Sequence, residues 1–411
     1  MMTALRLGLE QLVQERADEK HRYFGRNKLV ANNKFIDMKN IAIYIYDYSL
    51  MGGAQEVTFH LAQLFHSKGL PIKELFTFDE QDVVKRDYPE DIAITNIHGD
   101  VNIMIDHIKK HNIGNLIMQV ENLKVSYDLY NKISQLSDIK IVTVLHSSPY
   151  YWLKKYYDFS QYLHHPRFIL QYFKMKFYWR PLHMKIFKIL AEGNFVCVSK
   201  SAKEELEHIL NIPSNKSKIR YIYNPVGLKA EQFDVEKKEN ILIYVGRLSL
   251  EKRTMLMLKL WRALYKQMPN WKFVVLGDGP DRKKMEEYVH RHHISNITFK
   301  GYVSNVRGYL LKSRISMLLS KYEGLPTGML ESCACGNALF GCYNDGGLQD
   351  ILHNGENGRL CDVKDFNNVI DALKAMMSND SLCNSMELKN KEIFKAFGEE
   401  KIINDWKNLL D

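Results

Sequence analysis

The chain has 411 residues, 45% of them hydrophobic and 26% charged, with only 10 Pro and 23 Gly. That length holds two or three domains with sizeable cores, and the composition excludes a disordered, fibrous or disulfide-stapled chain. Lys and Arg number 57 against 48 Asp and Glu, a formal +9, which raises nucleic acid, a membrane surface and an anionic substrate as partners.

Residues 1–37 are polar and charge-mixed and read as an N-terminal extension. From Ile41 to Tyr46 a run rich in β-branched and aromatic residues predicts a buried strand. It leads through Gly52-Gly53 into an amphipathic helix that stops at Gly69. Strands are expected at 72–78, 92–97, 115–120, 140–145, 194–198 and 219–223, with helices at 101–111, 124–136 and 200–210. Asn224-Pro225 and the charged 236–240 run break this series and read as a linker over 224–240. A second series then begins: strand 241–245, helix 252–267, strand 272–276, helix 281–292, strand 297–300, helix 305–312, strand 314–319 and a helix over about 326–334. Alternating strands and helices predict two α/β domains, 38–223 and 241–394, each a doubly wound parallel sheet.

The six Cys contain no C-x-x-C pair and no compact Cys/His cluster with zinc spacing, as expected in a reducing compartment. No window supplies the roughly 18 apolar residues of a spanning helix, and the first 15 residues lack the pattern of a secretory signal. These features predict a cytoplasmic protein.

In open α/β sheets, ligands bind beyond the carboxyl ends of strands, where glycine turns and helix starts offer backbone N–H groups to anions. Gly52 and Gly53 occupy such a place, although a Gly-Gly pair alone also suits a plain tight turn. The segment Tyr244-Val-Gly-Arg247-Leu-Ser-Leu-Glu-Lys252 puts two cations at a strand exit. A diphosphate suits this pair, since Arg presents a planar fork and Lys a point charge; a solvated pair of surface cations is the other reading. Leu276-Gly277-Asp-Gly-Pro280 and Lys300-Gly-Tyr302-Val303 are further turns at strand ends. Ser320-Lys-Tyr-Glu323-Gly-Leu-Pro326-Thr327-Gly328-Met-Leu-Glu331 then sets two carboxylates on either side of a helix start, from which both can face one molecule.

Taken in order, these pieces resemble the retaining glycosyltransferases of family 4, which have the GT-B fold, two Rossmann-like βα domains facing each other across a cleft. The resemblance covers nearly all of 40–411. It is most specific in Val245-Gly-Arg-Leu, Glu251-Lys252, Leu276-Gly-Asp-Gly-Pro, Gly301-Tyr-Val, the Glu323/Glu331 pair, Cys335-Gly and Asn354-Gly-Glu-Asn-Gly358. The first domain adds Gly52-Gly-Ala-Gln55, His146 and Val198-Ser-Lys-Ser201. It implies that Arg247 and Lys252 hold a donor diphosphate, with Gly53 approaching from the opposite domain. Glu331 would bind the ribose, main-chain groups around Tyr302 and Val303 the base, and backbone amides near Pro326 to Gly328 the sugar hydroxyls. Glu323 would stabilise charge at the donor sugar, and His146 would sit between sugar and acceptor. Gly52 and Gly277 belong to the same donor set. The final helix, 395–411, would cross back to the first domain. Thr327, Gly328 and Gln55 depart from the family pattern, which bears on sugar preference more than on reaction type.

The activity so implied is transfer of a hexose or N-acetylhexosamine from a nucleotide diphosphate sugar, UDP-sugar favoured. The acceptor would be a glycan, a lipid-linked saccharide or a teichoic-like polymer, in cell-envelope polysaccharide synthesis. No Asp-x-Asp occurs, so no metal and no other cofactor is expected, and the departing diphosphate is met by Arg247, Lys252 and helix N–H groups. A non-catalytic accessory subunit and a sugar-nucleotide epimerase of the same fold are the competing readings.

One stretch stands apart. Residues 151–190 hold eight Lys/Arg against one acid, Asp158, and thirteen of the chain's 47 aromatic residues. Interleaved cations and rings could bind nucleic acid, lie in a membrane interface, or form a core with a solvated basic face. Likeness to the family favours an acceptor or anionic membrane surface carrying Lys154, Lys155, Lys174 and Lys176 over nucleic acid. The protein would then sit peripherally at the inner face of the cell membrane.

Overall fold

The computed structural model describes residues 38–48, 52–78, 86–154, 166–227 and 235–411. The extension 1–37, Lys155 and part of the 224–240 linker lie outside the described residues.

The first sheet contains β1 (Asn40–Ile45), β2 (Ile72–Thr77), β3 (Ala93–Asn96), β4 (Ile113–Val120), β5 (Lys140–Leu145), β6 (Asn194–Cys197) and β7 (Arg220–Tyr221). They lie in the order β3-β2-β1-β4-β5-β6-β7, every neighbouring pair parallel. The second sheet is β10-β9-β8-β11-β13-β15, formed by β8 (Glu239–Val245), β9 (Lys272–Leu276), β10 (Ile297–Gly301), β11 (Ser313–Leu318), β13 (Ala338–Cys342) and β15 (Gly358–Cys361). Both orders reverse beside the first strand of the sheet, and such switch points open a crevice at the strands' carboxyl ends. A two-residue ladder joins β12 (Tyr322–Glu323) to β14 (Asp345–Gly346).

The strands are buried on both faces, as near-continuous apolar runs must be in a sheet covered by helices: β4 is buried along all eight residues and β11 along all six. The last helix, Glu399–Leu410, buries Ile402, Ile403, Trp406, Leu409 and Leu410. Trp406 meets Phe65 of the helix Gly53–Ser67 edge to face at 5.8 Å. The chain's end is therefore stapled to the first domain by an aromatic contact rather than by exposed charge alone.

Two local differences from the sequence reading have identifiable causes. The helix expected over 252–267 spans Thr254–Leu264, because Arg253 takes a left-handed φ of 51° and leaves Leu250–Lys252 as a separate 3-10 turn. The described part of the basic aromatic stretch is helical, with helices Pro166–Lys174 and Arg180–Glu192 joined through a π turn at Met175–Trp179. Its core-facing members, Met175, Ile186, Phe187 and Leu190, are buried.

Candidate active site

The two sheets face each other across a cleft of about 1260 Å³. All thirteen residues expected at the donor and the reacting centre line it: Gly52, Gly53, His146, Arg247, Lys252, Gly277, Tyr302, Val303, Glu323, Pro326, Thr327, Gly328 and Glu331.

On the first-domain wall, Gly52 ends the loop after β1 as the extended N-cap of helix Gly53–Ser67, with no side chain capping the helix. A Cβ at Gly53 would meet nothing within 4 Å, so the uncapped helix start faces open space. This is the anion-accepting geometry that a glycine pair permits. His146 follows β5, and its Nε2 donates to Gln119 Oε1. Burial holds its pKa down at about 4, so the ring is neutral at pH 7 with Nδ1 left as acceptor.

On the second-domain wall, Gly277 has φ 116°, and a Cβ there would lie 2.1 Å from Gly246 O, so only glycine lets these two turns close against each other. Arg247 is exposed and has no ion-pair partner among the described residues, whereas Lys252 Nζ lies 2.6 Å from Glu323 Oε1. Glu323 is only 8% exposed, held on β12 by the ladder to Gly346. Pro326 caps the helix Thr327–Ala334 with no side-chain hydrogen bond, leaving its N–H groups to the cleft. Glu331 lies in that helix, and burial, with the Glu56 charge adding to it, pushes its pKa up to about 7.

Three cleft groups escaped the sequence reading. Glu121 follows β4, accepts from Gln55 Nε2 at 2.7 Å, and is pushed up to about 7 by burial. Its position just past a strand's carboxyl end was the available signal. Glu56 and Arg86 pair at 3.2 Å on the same wall, and no local pattern announces a contact thirty residues apart.

The domains also touch directly beside the cleft. The Asp350 carboxylate of the second domain accepts from Lys200 N at 2.6 Å, from Ser201 N at 3.2 Å and from the Ser201 hydroxyl, capping the first-domain helix Lys200–Leu210. A Cβ at Gly324 would stand 2.0 Å from His146 O. Lys154, expected on a membrane or acceptor face, also reaches the second domain, 3.5 Å from Asp345 and 3.6 Å over the Tyr150 ring, with its side chain 43% exposed. Lys174 and Lys176 remain on the outer segment, beside the exposed Leu170, Phe173, Phe177 and Tyr178.

Residues 228–393 match the family model of glycosyl transferases group 1. The second domain is thus similar to glycosyl transferases group 1. A Campylobacter jejuni protein, GalNAc-alpha-(1->4)-GalNAc-alpha-(1->3)-diNAcBac-PP-undecaprenol alpha-1,4-N-acetyl-D-galactosaminyltransferase, is 28% identical over 201 residues, 47% of this chain and 54% of its own. The Bacillus anthracis N-acetyl-alpha-D-glucosaminyl L-malate synthase is 26% identical over 181 residues, 44% of this chain and 47% of its own. The chain thus spans about half the length of the curated relatives it matches. Among solved structures, Staphylococcus aureus TarM in complex with fondaparinux, alpha-GlcNAc-glycerol and UDP superposes with a TM-score of 0.68 at 14% identity. That likeness covers 91% of this chain and 100% of TarM. Sucrose-phosphate synthase of Thermosynechococcus elongatus gives 0.73 at 16%, covering 90% and 98%. The two-sheet architecture is the GT-B fold.

Proposed function

We propose that this protein is a retaining glycosyltransferase that moves a hexose or N-acetylhexosamine from a UDP-sugar to a glycan, lipid-linked saccharide or teichoic-like polymer of the cell envelope. The observation that carries this reading is the second-domain wall. There a free guanidinium, a Lys–Glu pair and an uncapped helix start face one cleft opposite a bare glycine helix start. The match of residues 228–393 to glycosyl transferases group 1 supports the same reading. So do relatives named for N-acetylhexosamine transfer to undecaprenol-linked saccharide, and fold neighbours that hold UDP.

In this mechanism Arg247 and Lys252 bind the diphosphate and stabilise its charge as it departs, aided by the helix N–H groups of Gly53. Glu331 accepts from ribose hydroxyls, and the backbone at Tyr302 and Val303 meets the base. The sugar lies against Thr327 and Gly328, where Glu323 supplies negative charge to the oxocarbenium-like centre. His146, neutral with Nδ1 open, accepts from a hydroxyl. The acceptor attacks from the face that the diphosphate leaves, and no metal is required. The outer helical segment with Lys174 and Lys176 serves an anionic membrane surface from which a lipid-linked acceptor is drawn. Cations beside exposed aromatic rings suit a headgroup layer.

A screen of nucleotide sugars for thermal stabilisation, followed by an acceptor assay with the stabilising donor, tests the proposal. An acceptor-dependent glycosylated product is expected. Stabilisation by no nucleotide sugar would favour an accessory subunit, and a product formed without acceptor would favour an epimerase.

A further inference from the structure

At the other end of the first sheet, away from the cleft, a charged side chain is buried inside a strand. Glu74 of β2 is fully buried, next to Leu75 and Phe76, which are also fully buried. A carboxylate so placed is costly unless something compensates its charge. Among the described residues its ion-pair partners are two imidazoles of one neighbouring segment: His107 Nδ1 lies 2.6 Å from Oε1 and His111 Nδ1 lies 2.8 Å from Oε2. The two His are four residues apart, in the last turn of helix Val101–Lys110 and at its C-cap, so a helical repeat brings both rings to one side.

The rest of the arrangement holds these three groups in place. Thr95 Oγ1 donates to Glu74 Oε1 at 2.7 Å, and Asn40 Nδ2 donates to His111 O at 2.8 Å, fixing the helix end over the strand. The two nitrogens and the carboxylate oxygen all lie within 4.8 Å of one another. The carboxylate is closed to solvent, while the His side chains are 30% and 28% exposed, which leaves an approach from their side.

We propose that Glu74, His107 and His111 bind a divalent transition-metal ion of the zinc class. Two imidazole nitrogens and a carboxylate oxygen suit zinc, whereas magnesium and calcium favour oxygen ligands alone. Ligand bonds of about 2.0–2.2 Å require the nitrogens to draw back from the carboxylate by a few tenths of an ångström, with the ion between them and water in the fourth position. Each imidazole then carries its proton on Nε2, and Thr95 orients the carboxylate from outside. Because His111 is tied to Asn40 at the start of β1, the ion would clamp a helix end to the sheet, opposite the end that carries Gly52 and His146. Its effect is on stability rather than on transfer.

The test uses the full chain, stripped with chelator and dialysed. Zinc titration by calorimetry should show one equivalent bound, with a rise in melting temperature, and cobalt should give the visible absorption of a four-coordinate ion. His107→Ala and His111→Ala should each weaken zinc by at least about tenfold. Glu74→Gln, which preserves the side-chain shape, should do the same while far-ultraviolet dichroism stays native. Absence of zinc binding by the wild type would overturn the proposal, as would tight binding that survives all three substitutions. A melting temperature lowered by Glu74→Gln in a wild type indifferent to zinc would identify a hydrogen-bonded triad instead.

Discussion

Lys252 Nζ and Glu323 Oε1 lie 2.6 Å apart across the cleft wall, so the group assigned to the diphosphate and the group assigned to the sugar neutralise each other before any donor arrives. A ligand phosphate must therefore compete with a carboxylate for the same ammonium. Glu323→Gln should tighten UDP binding severalfold, because the competitor is gone, while lowering turnover by two orders of magnitude or so through loss of charge at the reacting centre. Calorimetry against single-turnover rates checks it. UDP affinity that falls in this variant would show that the pair does not restrain Lys252.

Arg247→Ala should weaken UDP roughly tenfold to a hundredfold, the worth of one charge-assisted contact, with little loss of stability since its side chain is exposed. Lys252→Ala should weaken UDP comparably and also lower the melting temperature, because it leaves Glu323 only 8% exposed and without its cation. Equal melting temperatures for the two variants would count against that difference.

Gly346 has φ 113°, and a Cβ there would lie 1.6 Å from Glu323 O. Gly346→Ala should therefore displace β12, carry Glu323 out of position and abolish activity, although Gly346 itself does not line the cleft. Gly324→Ala, whose Cβ would press on His146 O, should separate the two walls and raise the donor KM. Wild-type kinetics in both variants would sink the claim that these glycines set the cleft.

Burial pushes Glu121, Glu205, Glu331 and Glu387 each up to about pH 7, above their ordinary value near 4.5. Between those values the folded chain holds protons that the unfolded chain has released, so stability should fall as pH rises through 7. Glu121→Gln should flatten part of that fall, gaining stability over wild type at pH 8 and little at pH 5. Urea midpoints at the two pH values decide it, and an equal gain at both would point to packing rather than titration.

Phe173 and Phe177 stack at 6.1 Å with rings 6° from parallel and are 51% and 68% exposed. Lys176 Nζ lies 5.4 Å from the Phe177 ring centre. Phe173→Ser with Phe177→Ser should release the protein from anionic vesicles. Lys174→Ser and Lys176→Ser should each weaken binding about fivefold, near 1 kcal/mol per cation. Vesicle binding indifferent to salt and to all four changes would exclude this surface.

Transfer should persist in excess chelator, with at most a lower melting temperature if the Glu74 site empties. Complete loss of turnover restored by magnesium or manganese would refute metal-independent departure of the diphosphate.

Strands and glycine turns were legible because their signals are local: apolar runs mark β1, β4 and β8, and the turns at Gly52, Gly246 and Gly277 sit at strand exits. The thirteen cleft positions followed from family resemblance laid over those turns. Glu121 was missed because a single acid after an apolar run has no pattern of its own. The contact of Lys154 with Asp345 could not be foreseen, because charge along the sequence does not say which way a helix turns. The split at Arg253 was hidden for another reason: non-glycine residues seldom adopt φ of 51°, so sequence favours an unbroken helix there.

The carboxylate of Asp350 ends a helix that belongs to the other domain. If the walls part, the amides of Lys200 and Ser201 lose their acceptor, and the first turn of Lys200–Leu210 keeps only the Ser199 side chain, which accepts from Ala202 N. Opening the cleft is therefore coupled to fraying of a helix on its rim. Hydrogen exchange at those two amides would then count the fraction of molecules standing open, and a bound donor that holds the walls together would slow it.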